Sequence, residues 1–304
     1  MSDSRRGVLY GIAAYGIWGL FPLYWPLLKP SGAVEILAHR MVWSLVAVVV
    51  ALAVRRHWSW IRELARRPRT LLLLALAAVV ISVNWGVYIY AVNSGHVVEA
   101  ALGYFINPLV SVLFGVLIFR ERLRRWQWAA VGLGALAVVV LTADYGRPPW
   151  MALTLAASFA CYGLLKKKAG VAGTESLTVE TLVLLIPALG YLLYLQADGT
   201  ATFGTAGAGH AVLLIGAGVV TAIPLLCFTA AAIRIPLSTI GLLQYIAPIL
   251  QFLCGVLVAH ETMPPSRWFG FALIWLALVL FSWEGLRHAH RTRRAATARR
   301  LETV

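Results

Sequence analysis

The stretch Phe105-Ile-Asn-Pro-Leu109 returns later in the chain as Tyr245-Ile-Ala-Pro-Ile249. The same offset relates a wider set of residues. Ala91 matches Ala231, Leu102 matches Leu242 and Pro108 matches Pro248. Leu113 matches Leu253, Gly115 matches Gly255, Glu121 matches Glu261 and Trp128 matches Trp268. Both copies lie in long apolar segments. A duplicated apolar half with a proline at the same depth is how many membrane carriers are built.

Composition agrees with that setting. Of 304 residues, 61% are hydrophobic and 12% charged, with a mean hydropathy of +0.80. A soluble domain is nearer half apolar and a quarter charged, so lipid is the solvent for most of this chain. The net charge of +14 does not point to nucleic acid, because the basic residues form short runs between apolar segments and no basic face. Cys161, Cys227 and Cys254 all fall inside apolar stretches and read as packing residues. No metal site, cofactor or disulfide is expected. Arg5 and Arg6 precede an apolar run from Gly7, as in a signal peptide. However, Trp18, Phe21, Pro22, Trp25 and Pro26 interrupt the run and no small-x-small site closes it, so it reads as a retained first span.

Crossing a ~30 Å hydrocarbon core takes about 20 apolar residues. Ten segments qualify: 7–28, 33–54, 70–92, 97–119, 126–143, 148–166, 176–195, 210–233, 236–259 and 266–286. With a cytoplasmic N-terminus, most Lys and Arg fall on the inner side, in the runs around Arg55–Arg69, Arg120–Arg125, Lys166–Lys168 and Arg287–Arg300. Outer loops hold only Lys29, Arg147 and Arg267. This bias predicts a multi-pass protein of the bacterial inner (plasma) membrane with both termini cytoplasmic.

The expected fold is therefore an all-α polytopic membrane protein, with ten transmembrane helices arranged as two inverted five-helix repeats. Residues 1–145 form the first repeat and 146–286 the second; 287–304 are a basic cytoplasmic tail. Tyr15-Gly-Ile-Trp-Gly19 matches Phe159-Ala-Cys-Tyr-Gly163 early in each half. An odd number of helices per half makes the second copy enter from the opposite side. Glu35 then opens the second span near one face, and Glu180 opens the seventh near the other.

Polar groups inside a span cost roughly 2.5–3.5 kcal/mol each on insertion scales, so they turn inward. Pro108 removes a helical donor from the carbonyl of Tyr104, and Pro248 does so for Gln244. Each freed carbonyl needs a partner or a wet cavity. The pair reads either as packing kinks or as a central binding site by Asn107, Pro108, Gln244, Tyr245 and Pro248. Tyr15, Trp18, Asn84, Trp85, Tyr88, Tyr104 and Tyr162 either line that site or pack against lipid. Glu35 and His39 are spaced i,i+4 and share a helix face, with Arg40 next, ~10 Å into the membrane by rise. They form either a structural cluster or a gate and anion contact, with Glu99 as a candidate partner for Arg40. Glu180 is the candidate titrating group for proton coupling, or else a glutamate reaching interfacial water.

HExxH, GxSxG and Walker-type loops are missing, so neither an enzyme nor a nucleotide-driven pump is expected. A non-transporting scaffold or receptor is the alternative. The expected partners are a small-molecule substrate and the lipid bilayer, with a second copy of the chain as a candidate; no nucleic acid is expected.

At these residues the chain resembles the drug/metabolite transporter superfamily with its EamA domains, and within it the RarD proteins. The matching stretches include Ala14-Tyr15-Gly-Ile-Trp18-Gly19, Glu35-Ile-Leu-Ala-His39-Arg40, Asn84-Trp85 and Ala91-Val92-Asn93. Glu99 to Leu109, Pro224 to Ala232 and Gln244-Tyr-Ile-Ala-Pro248 complete them. The resemblance implies a secondary carrier of small organic metabolites or drugs, often working by proton exchange. It implies a central cavity lined mainly by the first, third, fourth, sixth, eighth and ninth spans. Arg40 sits where the EamA pattern carries an arginine; the second half has none near Leu184.

Overall fold

The computed structural model describes residues 3–55, 58, 60–119, 123–171 and 173–302. Glu121, one of the repeat matches, lies outside the described residues. No strand occurs among the described residues. The helices are α1 (Asp3–Gly19), α2 (Phe21–Tyr24, continued as a 3-10 turn Trp25–Leu28), α3 (Ala33–Arg55), α4 (Trp60–Ala65) and α5 (Pro68–Asn93). They continue with α6 (Val97–Phe119), α7 (Arg125–Tyr145), α8 (Trp150–Ala169), α9 (Gly173–Ala197) and α10 (Ala208–Ala232). The last are α11 (Leu237–Leu243), α12 (Ile246–Leu253, extended by a π turn Cys254–Val258) and α13 (Pro265–Glu302).

Eight of these segments are long and apolar enough to cross a membrane, and the bent pair α1 with Phe21–Leu28 brings the number to nine. This is a multi-pass membrane protein. Helix α8, 20 residues ending in Lys166, Lys167 and Lys168, is not among those segments. The α1–α2 bend is 41°. Pro22 and Pro26 each stand in the first turn of the helical piece that follows. There a missing N–H has no helical partner to lose, so the chain restarts instead of continuing straight.

The two repeat prolines behave differently. Helix α6 runs unbroken through Pro108. Near Pro248 the helix breaks earlier, between Leu243 and Ile246, and Pro248 falls in the first turn of α12. The expected pair of like kinks is thus one continuous helix and one interruption. The α13 backbone stays helical to Glu302.

Lipid is as apolar as leucine, so burial alone does not hold these helices together; close packing and interhelical polar contacts do. The main neighbours are α7 with α13, α6 with α8, α5 with α8 and α9, α3 with α9 and α10, α1 with α10 and α12, and α6 with α12. Two ion pairs clamp opposite ends of the α7–α13 pair. Arg267 Nε lies 2.9 Å from Asp144 Oδ2 at one end. At the other, Arg124 Nη1 lies 3.1 Å from Glu284 Oε1. Glu261, in the loop before α13, accepts the N–H groups of Val97 and Val98 and so closes the start of α6.

Candidate functional site

Arg40 stands in the interior, 2% exposed, on α3. Its Nε donates to Thr221 Oγ1 of α10 at 2.8 Å. The Thr221 hydroxyl in turn donates to the Ala217 carbonyl at 2.8 Å. The guanidinium carbon lies 4.0 Å from the Trp85 ring centre, 5.3 Å from Trp25 and 5.7 Å from Phe21. Three aromatic faces therefore surround one cation, the arrangement by which ring quadrupoles hold positive charge. Tyr88 and Tyr104 are its electrostatic neighbours. Among the described residues no carboxylate pairs with it. Arg40 Nη1, Trp25 Nε1 and the Tyr88 hydroxyl are buried without a hydrogen-bond partner.

The expected Glu99–Arg40 pairing does not form. Glu99, 1% exposed, takes Arg147 instead, at 2.8 Å from Nη2 and 3.3 Å from Nη1. It also accepts the Met151 N–H at 3.1 Å, so the carboxylate fixes the start of α8. Glu180 does not reach for open water. It is 2% exposed and lies 2.8 Å from Lys166 Nζ. It further accepts Ser176 Oγ at 2.5 Å and the Tyr162 hydroxyl at 3.0 Å.

Glu35 sits at the opposite end in a different company. Its Oε1 accepts Thr202 N–H at 2.8 Å and Thr202 Oγ1 at 2.9 Å. Ser31 Oγ lies 2.5 Å from Thr202 Oγ1 and 2.9 Å from His210 Nε2. His39 stacks on Phe203 at 4.8 Å, and neither of its ring nitrogens has a partner. This network ties the α2–α3 connection and α3 to the α9–α10 connection and α10. Beside it opens a cavity of about 430 Å³ lined by Lys29, Ser31, Tyr90, Asn93 and Ser94, among others.

Asn84 is 0% exposed and works as a joint. Its Nδ2 donates to the Leu155 carbonyl and Ser158 Oγ, both at 2.9 Å, and its Oδ1 accepts the Tyr104 hydroxyl at 3.0 Å. Helices α5, α6 and α8 meet there. Tyr15, Trp18 and Phe228 form a ring trio, with Tyr15–Trp18 centres 5.4 Å apart. Tyr88, Tyr104, Phe159 and Tyr162 make a second chain of ring contacts. Asn107 and Pro108 are buried, and Asn107 Oδ1 accepts Ser111 Oγ at 3.4 Å. Pro248 is buried, Gln244 and Tyr245 half-buried, and the Tyr245 hydroxyl lies 3.5 Å from Ser282 Oγ.

Sequence reasoning singled out Arg40 but missed its setting. Phe21 and Trp25 registered only as interruptions of the first span, and Thr221 carried no signal. Ser31, Thr202, Phe203 and His210 were missed as well. A pointer existed: Ser31 precedes Glu35 by four residues, as Ser176 precedes Glu180.

Comparison with known proteins places these features. The EamA-like transporter family matches residues 5–143 and again 148–283. Protein RarD of Streptomyces exfoliatus is 64% identical over 96% of this chain and 93% of its own. Protein RarD of Escherichia coli is 43% identical, covering 95% of this chain and 98% of its own. An uncharacterized transporter of Pseudomonas aeruginosa is 45% identical over 95% of this chain and 97% of its own. A solved structure titled only as the crystal structure of a protein superposes with a TM-score of 0.59 at 20% identity, covering 92% of this chain and 98% of that one. That likeness bears on the fold alone. The chain is a membrane transporter in the general sense, and it belongs to the EamA-like transporter family as a RarD-type member.

Proposed function

We propose that this chain is a secondary carrier of small organic solutes, working by alternating access between two inverted halves. The membrane is the bacterial inner membrane, with both termini cytoplasmic, as the distribution of Lys and Arg supports. Counting the bent first pair, α8 and the interrupted α11–α12 as one crossing each gives ten.

One observation carries the reading. The pattern of helix neighbours survives exchange of each crossing with the one five places later. The contact α6–α8 exchanges with α1–α12, α5–α8 with α1–α10, and α5–α9 with α3–α10. The pairs α7–α13, α3–α9 and α6–α12 exchange with themselves. The two clamps on α7–α13 follow the same rule, since Asp144 and Glu284 stand at the repeat offset. A pseudo-two-fold axis in the membrane plane accounts for all of this, and rocking of one half against the other is the motion it favours.

In that motion the Ser31–Glu35–Thr202–His210 network is the outer seal. Glu35 accepts from Thr202, whereas Glu99 and Glu180 both hold basic partners, so proton coupling is assigned to the Glu35 network. The test uses purified protein in liposomes loaded with a pH-sensitive dye. Amino acids, organic acids and chloramphenicol are added outside, the last because a relative carries the name chloramphenicol-sensitive protein RarD. Solute entry with a matching proton signal is the expected result. A panel that moves no faster than in empty liposomes refutes the carrier and favours a scaffold.

A further inference from the structure

We propose that Arg40, Tyr88 and Trp25 form a recognition site for the carboxylate of an organic acid, so that this carrier's substrates are organic anions. The inference rests on the carrier reading and names its substrate class.

All the unpartnered groups gathered around the cation are donors. Arg40 offers Nη1, Tyr88 its hydroxyl and Trp25 its indole N–H, each buried and without a partner. The one polar side chain bonded to the guanidinium, Thr221, already donates its own proton to Ala217. A buried charge without a counter-ion is strongly destabilising unless something satisfies it. Three other buried ions of the bundle interior have such a counterpart, Glu99 in Arg147, Glu180 in Lys166 and Asp144 in Arg267, while the buried Glu35 is held by Thr202. Arg40 alone of these has rings where an acid would stand.

The rings explain how the cation persists between substrates. Stacking at 4.0 Å on Trp85, with Trp25 and Phe21 beyond, holds the positive charge without neutralising it. The planar fork of guanidinium donors then matches a carboxylate. Tyr88 and Tyr104, ring centres 5.6 Å apart, offer an apolar wall for the organic body. With Arg40 only 2% exposed, the structure is a closed form, and the site opens as the two halves part.

The test is equilibrium binding to purified full-length protein, which requires no flux. The probes are benzoate, phenylacetate and indole-3-acetate, each paired with its neutral amide. Calorimetry and ligand-induced shift of the melting temperature are read together. The expected result is saturable binding of at least one acid, about tenfold or more tighter than its amide, the scale of one charge-assisted hydrogen bond. Arg40→Gln removes that preference, Arg40→Lys keeps part of it, and Tyr88→Phe weakens acid binding severalfold without changing amide binding. Should Arg40→Gln fail to fold, Arg40→Lys and Tyr88→Phe carry the comparison. The proposal is overturned if no acid outbinds its amide, or if the preference is unchanged in the folded variants. Acid binding without flux in liposomes would sink the carrier reading and leave the site standing. Flux of solutes with no preference for acids would do the reverse.

Discussion

Gly218 of α10 lies directly against the backbone of Trp43 in α3: a Cβ on the glycine would fall 2.3 Å from the Trp43 carbonyl carbon and 2.6 Å from the Ser44 nitrogen. Backbone cannot swing aside as a side-chain tip can. This is the close approach that small residues allow between membrane helices. Three residues later, just under one turn along the same helix, Thr221 receives Arg40, so the contact also sets the height of the candidate site. Gly218→Ala is therefore expected to destabilise the protein by about 1–3 kcal/mol, the range for overpacking. Gly16→Ala, with nothing within 4 Å of its Cβ, is expected to be neutral or slightly stabilising. Denaturant unfolding in detergent compares the two. Equal stability would show that α3 and α10 are free to shift apart.

A second pair of glycines tests the proposed inversion. A Cβ on Gly11 would meet Leu243 Cδ1 at 2.6 Å, and one on Gly103 would meet Leu155 Cβ at 2.8 Å. By the repeat matches, Gly11 corresponds to Leu155 and Gly103 to Leu243. The same contact is thus made twice, with the glycine on opposite members. The two are not equally strict. The Leu243 tip can rotate, whereas Gly103 also faces the Ala152 carbonyl oxygen at 2.8 Å. Gly103→Ala is expected to lower stability by about 1–3 kcal/mol and Gly11→Ala by clearly less. The reverse order would argue that these contacts are unrelated.

The long apolar runs made most of the long helices legible to within a few residues, because twenty apolar residues in lipid have few alternatives to a helix. Breaks were harder to see. Pro108 passes inside α6 while Pro248 opens α12, and only neighbouring helices decide which carbonyls are satisfied. Charged residues announced themselves, but their partners did not. Arg40 and Thr221 are separated by 181 positions, and Glu35 and Thr202 by 167. Hydroxyls such as Ser31, Thr202 and Thr221 are common in membrane helices, so nothing in the sequence marks one as a partner. The aromatic cage escaped notice for a related reason: Phe21 and Trp25 look like interface residues until the α1–α2 bend brings them over α3.

The two clamps on α7 and α13 differ in burial, and their energies should differ accordingly. Asp144 and Arg267 side chains are 4% and 16% exposed, whereas Glu284 and Arg124 are 12% and 40%. Removing one member of a buried pair strands the other charge, at about 3–5 kcal/mol. An exposed pair is worth about 0–1 kcal/mol. Asp144→Ala is expected to approach the first range and Glu284→Ala to lie nearer the second. Unfolding of the two variants and the corresponding double-mutant cycles measures this. Coupling energies that come out equal would mean that water reaches both ends alike.

Glu261 gives a pH-dependent prediction whose sign can be worked out. Burial pushes its carboxyl above the usual range, outweighing the Val97 and Val98 N–H groups and Arg267, which favour the ionised form. The folded protein therefore keeps this proton to a higher pH than the unfolded chain does. Between the ordinary carboxylate value and the raised one, unfolding releases a proton, so stability contributed by this group falls as pH rises through that window. Glutamine mimics the protonated side chain at every pH. Glu261→Gln is thus expected to match the wild type in acid and to gain on it as pH rises. Glu261→Ala leaves the two N–H groups without their acceptor and should cost about 0.5–2 kcal/mol across the range. Melting temperatures of the three proteins from pH 4 to pH 8 decide the matter. A Gln variant that loses stability relative to the wild type with rising pH would mean that the two amides, not burial, dominate the carboxylate.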